Sequence, residues 1–279
     1  MAKLLVSIII PYQAKSEKID ELLKDLSNQK TSFETEIIPV QDVTPAGKAR
    51  NIGARRAKGE ILVFLDSDLR LGHEAVLENL VNSLLRHNNL GIVSGSIRIP
   101  PYTSKFQKRY TQEIPHSQTP VVDKLTEVAV ATSACCVIYK KLFLEIGGFN
   151  EFLPRGQDPE LCWRLRKKGY LTALAPFCWC YHPQPDNMAE LIRIHFRNGL
   201  STGIVDYFWP DLNIDIDPKG IFYISERKTK SYRIARYIIA MLKAIIRCEI
   251  LLFSSKSIYL FGYLYGFLKC RIWKTKSAP

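Results

Sequence analysis

Asp66 and Asp68, separated by Ser67, close the apolar run Ile61-Leu62-Val63-Phe64-Leu65. Paired carboxylates of this kind suit a hard divalent cation, Mg²⁺ or Mn²⁺, that also meets substrate phosphates. Asp and Ser are equally at home in a solvated turn, which is the competing reading. A second acidic group, Asp158 and Glu160 around Pro159, precedes the helical spacing of Leu161, Trp163 and Leu165. Pro159 fits the first turn of a helix, which puts Asp158 near the N-cap and Glu160 inside the turn. Capping and the helix dipole explain such acids by themselves, whereas a carboxylate that faces a substrate hydroxyl there can act as a general base. Cys178, Cys180 and His182 would share one side of a strand, but no second Cys or His pair stands at ligand spacing, so the thiols read as core rather than as a zinc site.

These residues need elements to hold them. The first half alternates strands and helices, the pattern of a mostly parallel sheet flanked by helices. Strands are expected at Leu4 to Ile10, Glu36 to Val40, Ile61 to Leu65 and Gly91 to Ile97, and helices at Glu17 to Ser27, Ala49 to Ala57 and Glu74 to Leu85. A strand uniformly apolar from Ile61 to Leu65 is buried on both faces, and its carboxyl end delivers Asp66 and Asp68 to the rim where open α/β sheets bind ligands. The chain has neither G-x-G-x-x-G nor G-x-x-x-x-G-K-[ST], which argues against a dinucleotide fold or a P-loop. Pro100 to Pro120, with four prolines and little periodicity, reads as a long functional loop. Val128 to Tyr139, with Cys135 and Cys136, reads as core. A helix from Met188 to Asn198 carries Arg193, His195 and Arg197, either as a phosphate contact or, the preferred reading, as a solvated face.

The 279 residues are 47% hydrophobic and carry a net charge of +12. Such a chain can bury a sizeable core, and its composition argues against disorder. Seven cysteines without a C-x-x-C pair point to a reducing compartment. The first residues read as a strand rather than a signal peptide, because Pro11 follows the apolar stretch with no small-residue cleavage site. From Lys219 onward 13 Lys and Arg face only Glu226 and Glu249, so 13 − 2 = +11 of the charge lies in the tail. Lys243, Arg247 and Lys256 break its apolar blocks below the roughly 20 residues of a spanning helix. Arg233, Arg236, Lys243 and Arg247 along one stripe of an otherwise apolar helix describe an amphipathic helix lying on anionic lipid. The competing reading is a helix docked on the domain with its basic face in water, and blocks this apolar argue against a nucleic-acid-binding arm. The expected organisation is a catalytic domain over 1–218 and a membrane-surface tail over 219–279, on the cytoplasmic inner face of the membrane.

The order Val6-Ser7-Ile8-Ile9-Ile10-Pro11-Tyr12, Gly47-Lys48-Ala49-Arg50-Asn51-Ile52-Gly53, Phe64-Leu65-Asp66-Ser67-Asp68, Gly147-Gly148-Phe149 and Gln157-Asp158-Pro159-Glu160-Leu161 resembles the nucleotide-sugar-dependent glycosyltransferases of GT-A fold, over about residues 4 to 183. Tyr181-His182-Pro183 and the short segment between Asp42 and Gly47 are similar to the chondroitin-polymerase and galactosyltransferase branch. The usual Asp-Asp-Gly-Ser after the second strand is missing, which withholds from Asp42 the role of base contact. The resemblance implies a metal-dependent, inverting transferase. Pro11 and Tyr12 would pack beside the nucleoside, with Lys48 or Arg50 approaching it. Asp66 would meet the nucleotide, and Asp68 with His182 would hold Mn²⁺ or Mg²⁺. Asp158 would deprotonate an acceptor hydroxyl on a glycan or lipid-linked acceptor, with Arg155, Gly156 and Glu160 on the acceptor side. Gln157 stands where the branch has Glu. A nucleotidyltransferase, or a non-catalytic nucleotide-sugar-binding membrane protein, is the alternative.

Overall fold

Five consecutive apolar residues build the centre of the molecule. The structure is a computed structural model that describes residues 3–14, 18–101, 104–114, 118–210, 215–216, 224–225 and 229–276. In chain order the elements are β1 (Leu5–Tyr12), α1 (Lys18–Ser27), β2 (Glu34–Gln41), α2 (Ala46–Arg56), β3 (Ile61–Leu65), β4 (Arg70–Leu71), α3 (Val76–Leu85), β5 (Leu90–Arg98) and α4 (Lys105–Glu113). They continue with β6 (Thr126–Glu127), β7 (Cys135–Tyr139), α5 (Lys140–Glu145), α6 (Gln157–Lys167), β8 (Leu171–Tyr181), α7 (Met188–Phe208), β9 (Asp215–Ile216), β10 (Ile224–Ser225), α8 (Lys230–Ile246) and α9 (Ile250–Lys276). The main sheet runs β2-β1-β3-β7-β5-β8-β4, with β6 paired to β8. β1, β2, β3, β5 and β8 point the same way, and β7 runs against β3 and β5.

Side-chain alternation along β3 explains the layers. Ile61, Val63 and Leu65 pack with Leu22 and Leu26 of α1 and with Val76, Leu77, Leu80 and Leu84 of α3. Leu62 and Phe64 face the other way, onto Ala49 and Ala54 of α2, Phe143 of α5 and Leu161 and Leu165 of α6. Phe64, Phe143 and Phe149 meet with ring centroids 5.1 to 5.4 Å apart, a geometry favourable to the aromatic quadrupoles. Helices on both faces of one sheet thus leave the carboxyl ends of β1 and β3 open at a common rim.

Three expectations are corrected. The stretch from Pro100 to Pro120 is not a bare loop, because it carries α4, started by a capping box in which Ser104 and Gln107 satisfy each other's backbone N–H groups; residues 102–103 and 115–117 of it lie outside the described residues. The helix expected to end at Asn198 continues to Phe208. The apolar blocks of the tail do not stay separate after Glu249, since α9 joins them through Lys256, whose ammonium lies 5.1 Å from the Tyr237 ring centroid. Ile250–Ile272, 23 residues of mean hydropathy 1.2, is long and apolar enough to cross a membrane by length and composition.

α9 is nonetheless clasped by α7. A Cβ added at Gly199 would lie 2.0 Å from the Tyr259 carbonyl oxygen, at Gly203 2.3 Å from that of Tyr263, at Gly262 2.2 Å from that of Phe196 and at Gly266 2.4 Å from that of Leu200. The two helices meet backbone to backbone at small-x-x-x-small positions, a packing that any larger residue would prevent. The expected boundary at 218 falls outside the described residues.

Candidate active site

Asp66 and Asp68 leave the end of β3 in a turn closed by the Leu69 N–H on the Asp66 carbonyl, 3.2 Å. β7 supports it, with the Asp66 N–H donating to the Ala134 carbonyl at 2.9 Å. His182 follows β8, whose end lies beside β4 and β5. Its Nε2 is 3.8 Å from Asp66 Oδ2 and 3.6 Å from Asp68 Oδ1, while Nδ1 sits 2.9 Å from the Pro183 carbonyl. That carbonyl can accept a hydrogen bond from Nδ1–H and so leave Nε2 as the ligand atom, the usual outer-shell arrangement of a metal-binding histidine. One ligand atom each from Asp66, Asp68 and His182 lies within 4.8 Å of the others, and two carboxylate oxygens with one imidazole nitrogen suit Mn²⁺ or Mg²⁺. The sequence reading had Asp68 and His182 as ligands; the geometry adds Asp66.

Arg50 lies under this cluster rather than at its surface. It is 5% exposed, and its guanidinium pairs with Asp66 Oδ1 through Nη2. It also stands 5.3 Å from the Phe149 ring centroid. Burial works against its charge, but Asp66 and then Asp158 hold its pKa above the ordinary value. Burial likewise opposes the charge of Asp66, yet Arg50 and His182 bring its carboxyl down to about 2. Burial opposes protonation of His182 too, and Asp66 and Asp68 overcome it, raising the imidazole to about 9. Arg50 from below and His182 from the side are thus the two cationic partners of the acids.

Asp158 occupies the first turn of α6, whose N-cap is Gly156 in the left-handed region (φ 74°). Its carboxylate accepts from Ser133 Oγ at 2.5 Å, from the Ser133 N–H at 3.0 Å and from Thr132 Oγ1 at 3.4 Å. These donors come from the strand-entry segment before β7, and they hold the carboxylate in one orientation. The neighbouring Gln157 is buried, donates to the Leu153 carbonyl at 2.7 Å and packs on Gly47 at the start of α2. Glu160 is 4% exposed and paired to Arg164 at 2.6 Å. Arg164 in turn donates to the carbonyls of Ile146 and Gly148, so Glu160, expected on the acceptor side, braces the Gly147-Gly148 turn through Arg164. Asn51 of α2 staples the same turn from the other side, exchanging two 2.8 Å bonds with the Phe149 backbone.

The remaining expected residues line the rim. Pro11 and Tyr12 end β1, half-buried, and Tyr12 Oη donates to Gln41 Oε1 at 2.6 Å. Asp42 accepts from the Ala14 N–H at 2.8 Å and so ties the ends of β1 and β2 together. Lys48 is exposed on α2, and Arg155 and Gly156 are exposed before α6. Cys178 and Cys180 are wholly buried in the core. Sequence reasoning did not single out Thr132, Ser133 or the Arg50 to Asp66 pair; two hydroxyls inside the apolar stretch Val128 to Tyr139 were the available signal.

Residues 43–147 match the profile of glycosyl transferase family 2. A pre-mycofactocin glycosyltransferase of Mycobacterium tuberculosis is 25% identical over 151 residues, 52% of this chain and 31% of that protein. An uncharacterised glycosyltransferase of Haemophilus influenzae is 24% identical over 191 residues, 60% of this chain and 64% of that protein. The chain thus spans less than two thirds of the length of either relative. The solved structure of a mannosyltransferase from Pyrobaculum calidifontis, in complex with GDP-mannose and Mn²⁺, aligns with TM-score 0.59 at 13% identity, covering 96% of this chain and 88% of that one. At that identity the likeness is one of fold.

Proposed function

We propose that this chain, whose residues 43–147 match the glycosyl transferase family 2 profile and whose fold is like that of a solved mannosyltransferase, is an inverting transferase that moves a sugar from a nucleotide-diphosphate donor to a hydroxyl of a glycan or lipid-linked acceptor. The observation that carries this reading is the convergence of Asp66, Asp68 and His182 at the end of β3, with Asp158 clamped by Ser133 and Thr132 on the facing helix. Asp66, Asp68 and His182 would hold Mn²⁺ or Mg²⁺, which supplies positive charge to the departing diphosphate. Pro11, Tyr12 and Lys48 line the nucleoside side of the rim. Arg50 acts on the donor site from below, by keeping Asp66 ionised. Asp158 takes the proton of the acceptor hydroxyl, whose oxygen attacks the anomeric carbon on the face opposite the diphosphate; the C–O bond to phosphate breaks as the new glycosidic bond forms, with inversion. The donors on Asp158 set which lone pair faces the hydroxyl.

The exposed apolar residues of α8 and α9, such as Ile246 at 81% and Phe261 at 72%, with the basic charge of the tail, support docking on the cytoplasmic, anionic face of a membrane. α9 is read as lying at that surface because α7, charged through Arg193, Arg197 and Asp206, covers its glycine stripe.

The direct test follows a panel of UDP- and GDP-sugars for hydrolysis and transfer, with and without Mn²⁺. Metal-dependent release of nucleoside diphosphate is expected, lost in Asp68→Ala and reduced about 10²- to 10⁴-fold in transfer by Asp158→Asn. Products carrying a nucleotidyl group, or full turnover in both variants, would sink the reading.

A further inference from the structure

α7 carries its cations toward α6. Arg193, Arg197 and Ser201 fall on successive turns of one helical stripe, solvent-facing at Arg193 and Arg197 and 3% exposed at Ser201. There Ser201 Oγ accepts from the Arg155 N–H at 2.9 Å, so the stripe ends at Arg155, three residues before Asp158. On the adjoining face His195 Nε2 lies 3.1 Å from Tyr110 Oη of α4. Among the described residues no carboxylate pairs with Arg155, Arg193 or Arg197. The acids of the adjoining helices are engaged elsewhere. Glu113 takes Arg109 at 2.6 Å and the Leu251 and Leu252 N–H groups at 2.7 and 3.0 Å, Asp206 takes Tyr263 Oη at 3.0 Å, and Glu190 takes the Asp186 N–H at 3.0 Å.

We propose that Arg155, Arg193 and Arg197 bind a phosphate group carried by the acceptor, beside the end of α6 that presents Asp158. The proposal rests on the transferase reading and adds the acceptor's chemical class. Guanidinium groups match phosphate oxygens two at a time, and three of them share this solvent-open face. The mutual field of the group is visible in its neighbours: burial, then Arg155 and Lys256, push His195 down to about 4, and burial, then Arg155 and Arg193, lower Arg197. An anion relieves that repulsion. Lys256 belongs to α9, so the cluster borders the helices whose apolar residues face outward, and the phosphate is either the headgroup of a lipid or part of a water-soluble acceptor.

A ³¹P NMR titration of the full-length protein, without Mn²⁺ or nucleotide, tests this with decyl phosphate and inorganic phosphate as probes. Saturable broadening is expected, weakened about tenfold or more by Arg155→Gln or by Arg197→Gln, largely retained in Arg197→Lys and unchanged in Arg86→Gln just after α3. Tighter binding of decyl phosphate supports a lipid headgroup; equal binding supports a soluble phosphate. Wild-type affinity in both Gln variants would overturn the proposal, as would displacement of the probe by nucleotide sugar with Mn²⁺, which would assign the cations to the donor. Because the titration omits metal and donor, a chain that turns over no nucleotide sugar would defeat the transferase reading while leaving this result to be read by itself.

Discussion

Asp158 receives three hydrogen bonds from two consecutive residues, Thr132 and Ser133, and a base so held loses precision when a donor is removed. Ser133→Ala deletes the shortest of the three, and bonds to a charged group contribute about 1.5 to 3 kcal/mol. Steady-state kinetics should show kcat down at least tenfold with the donor KM little changed; an equal fall in donor affinity would place Ser133 in the donor site instead. Arg50→Gln leaves Asp66 half-buried beside an uncharged partner. Breaking a buried pair costs about 3 to 5 kcal/mol, so urea unfolding should show a loss near the lower figure, with weaker Mn²⁺ binding by calorimetry. That Asp66, Asp68 and His182 stand at strand ends was legible because their neighbours announce those ends, while the grouping of Asp66 with the other two was not. The Ser133 clamp and the Arg50 pair were not, since they join residues 25 and 16 positions apart whose meeting only the sheet order creates. Arg50 in particular was expected to approach the nucleoside, and only the burial of that helix face makes it a support for Asp66.

Helix α9 owes its position to glycines at 199, 203, 262 and 266, where the backbones of α7 and α9 touch. Gly262→Ala should force the helices apart at a cost of about 1 to 3 kcal/mol, visible as a lower thermal midpoint with the near-ultraviolet signal of the packed aromatics reduced. An unchanged midpoint would mean that the clasp gives way freely. The strands and helices around the sheet were legible from their periods of 2 and 3.6, because each buries one regular face. α4 was not, since its apolar content is small and its start is made by the Ser104 and Gln107 capping box within a proline-rich stretch. α9 was misread as separate blocks because Lys256 interrupts the apolar pattern without interrupting the helix; its methylenes and ammonium find Tyr237.

Charge and apolar surface divide the whole molecule into a nearly neutral α/β body and a basic end. Substituting Ile246→Glu and Phe261→Glu, both on outward faces, should lower co-sedimentation with anionic liposomes several-fold while leaving the circular dichroism spectrum unchanged, and the residual binding should fall further with salt. Equal recovery of both proteins would remove the membrane from the account. α7 begins near the Arg193 and Arg197 stripe and is joined along its length to α9, and its 21 residues make a rod of about 30 Å. Among the described residues, that rod and the tail helix touch backbone to backbone at Gly199, Gly203, Gly262 and Gly266. Anchored at a surface, the molecule would hold Asp158 at one fixed height above it, so an acceptor would be selected by how far its hydroxyl stands from its anchor: a ruler built from two helices, measuring the substrate before chemistry begins.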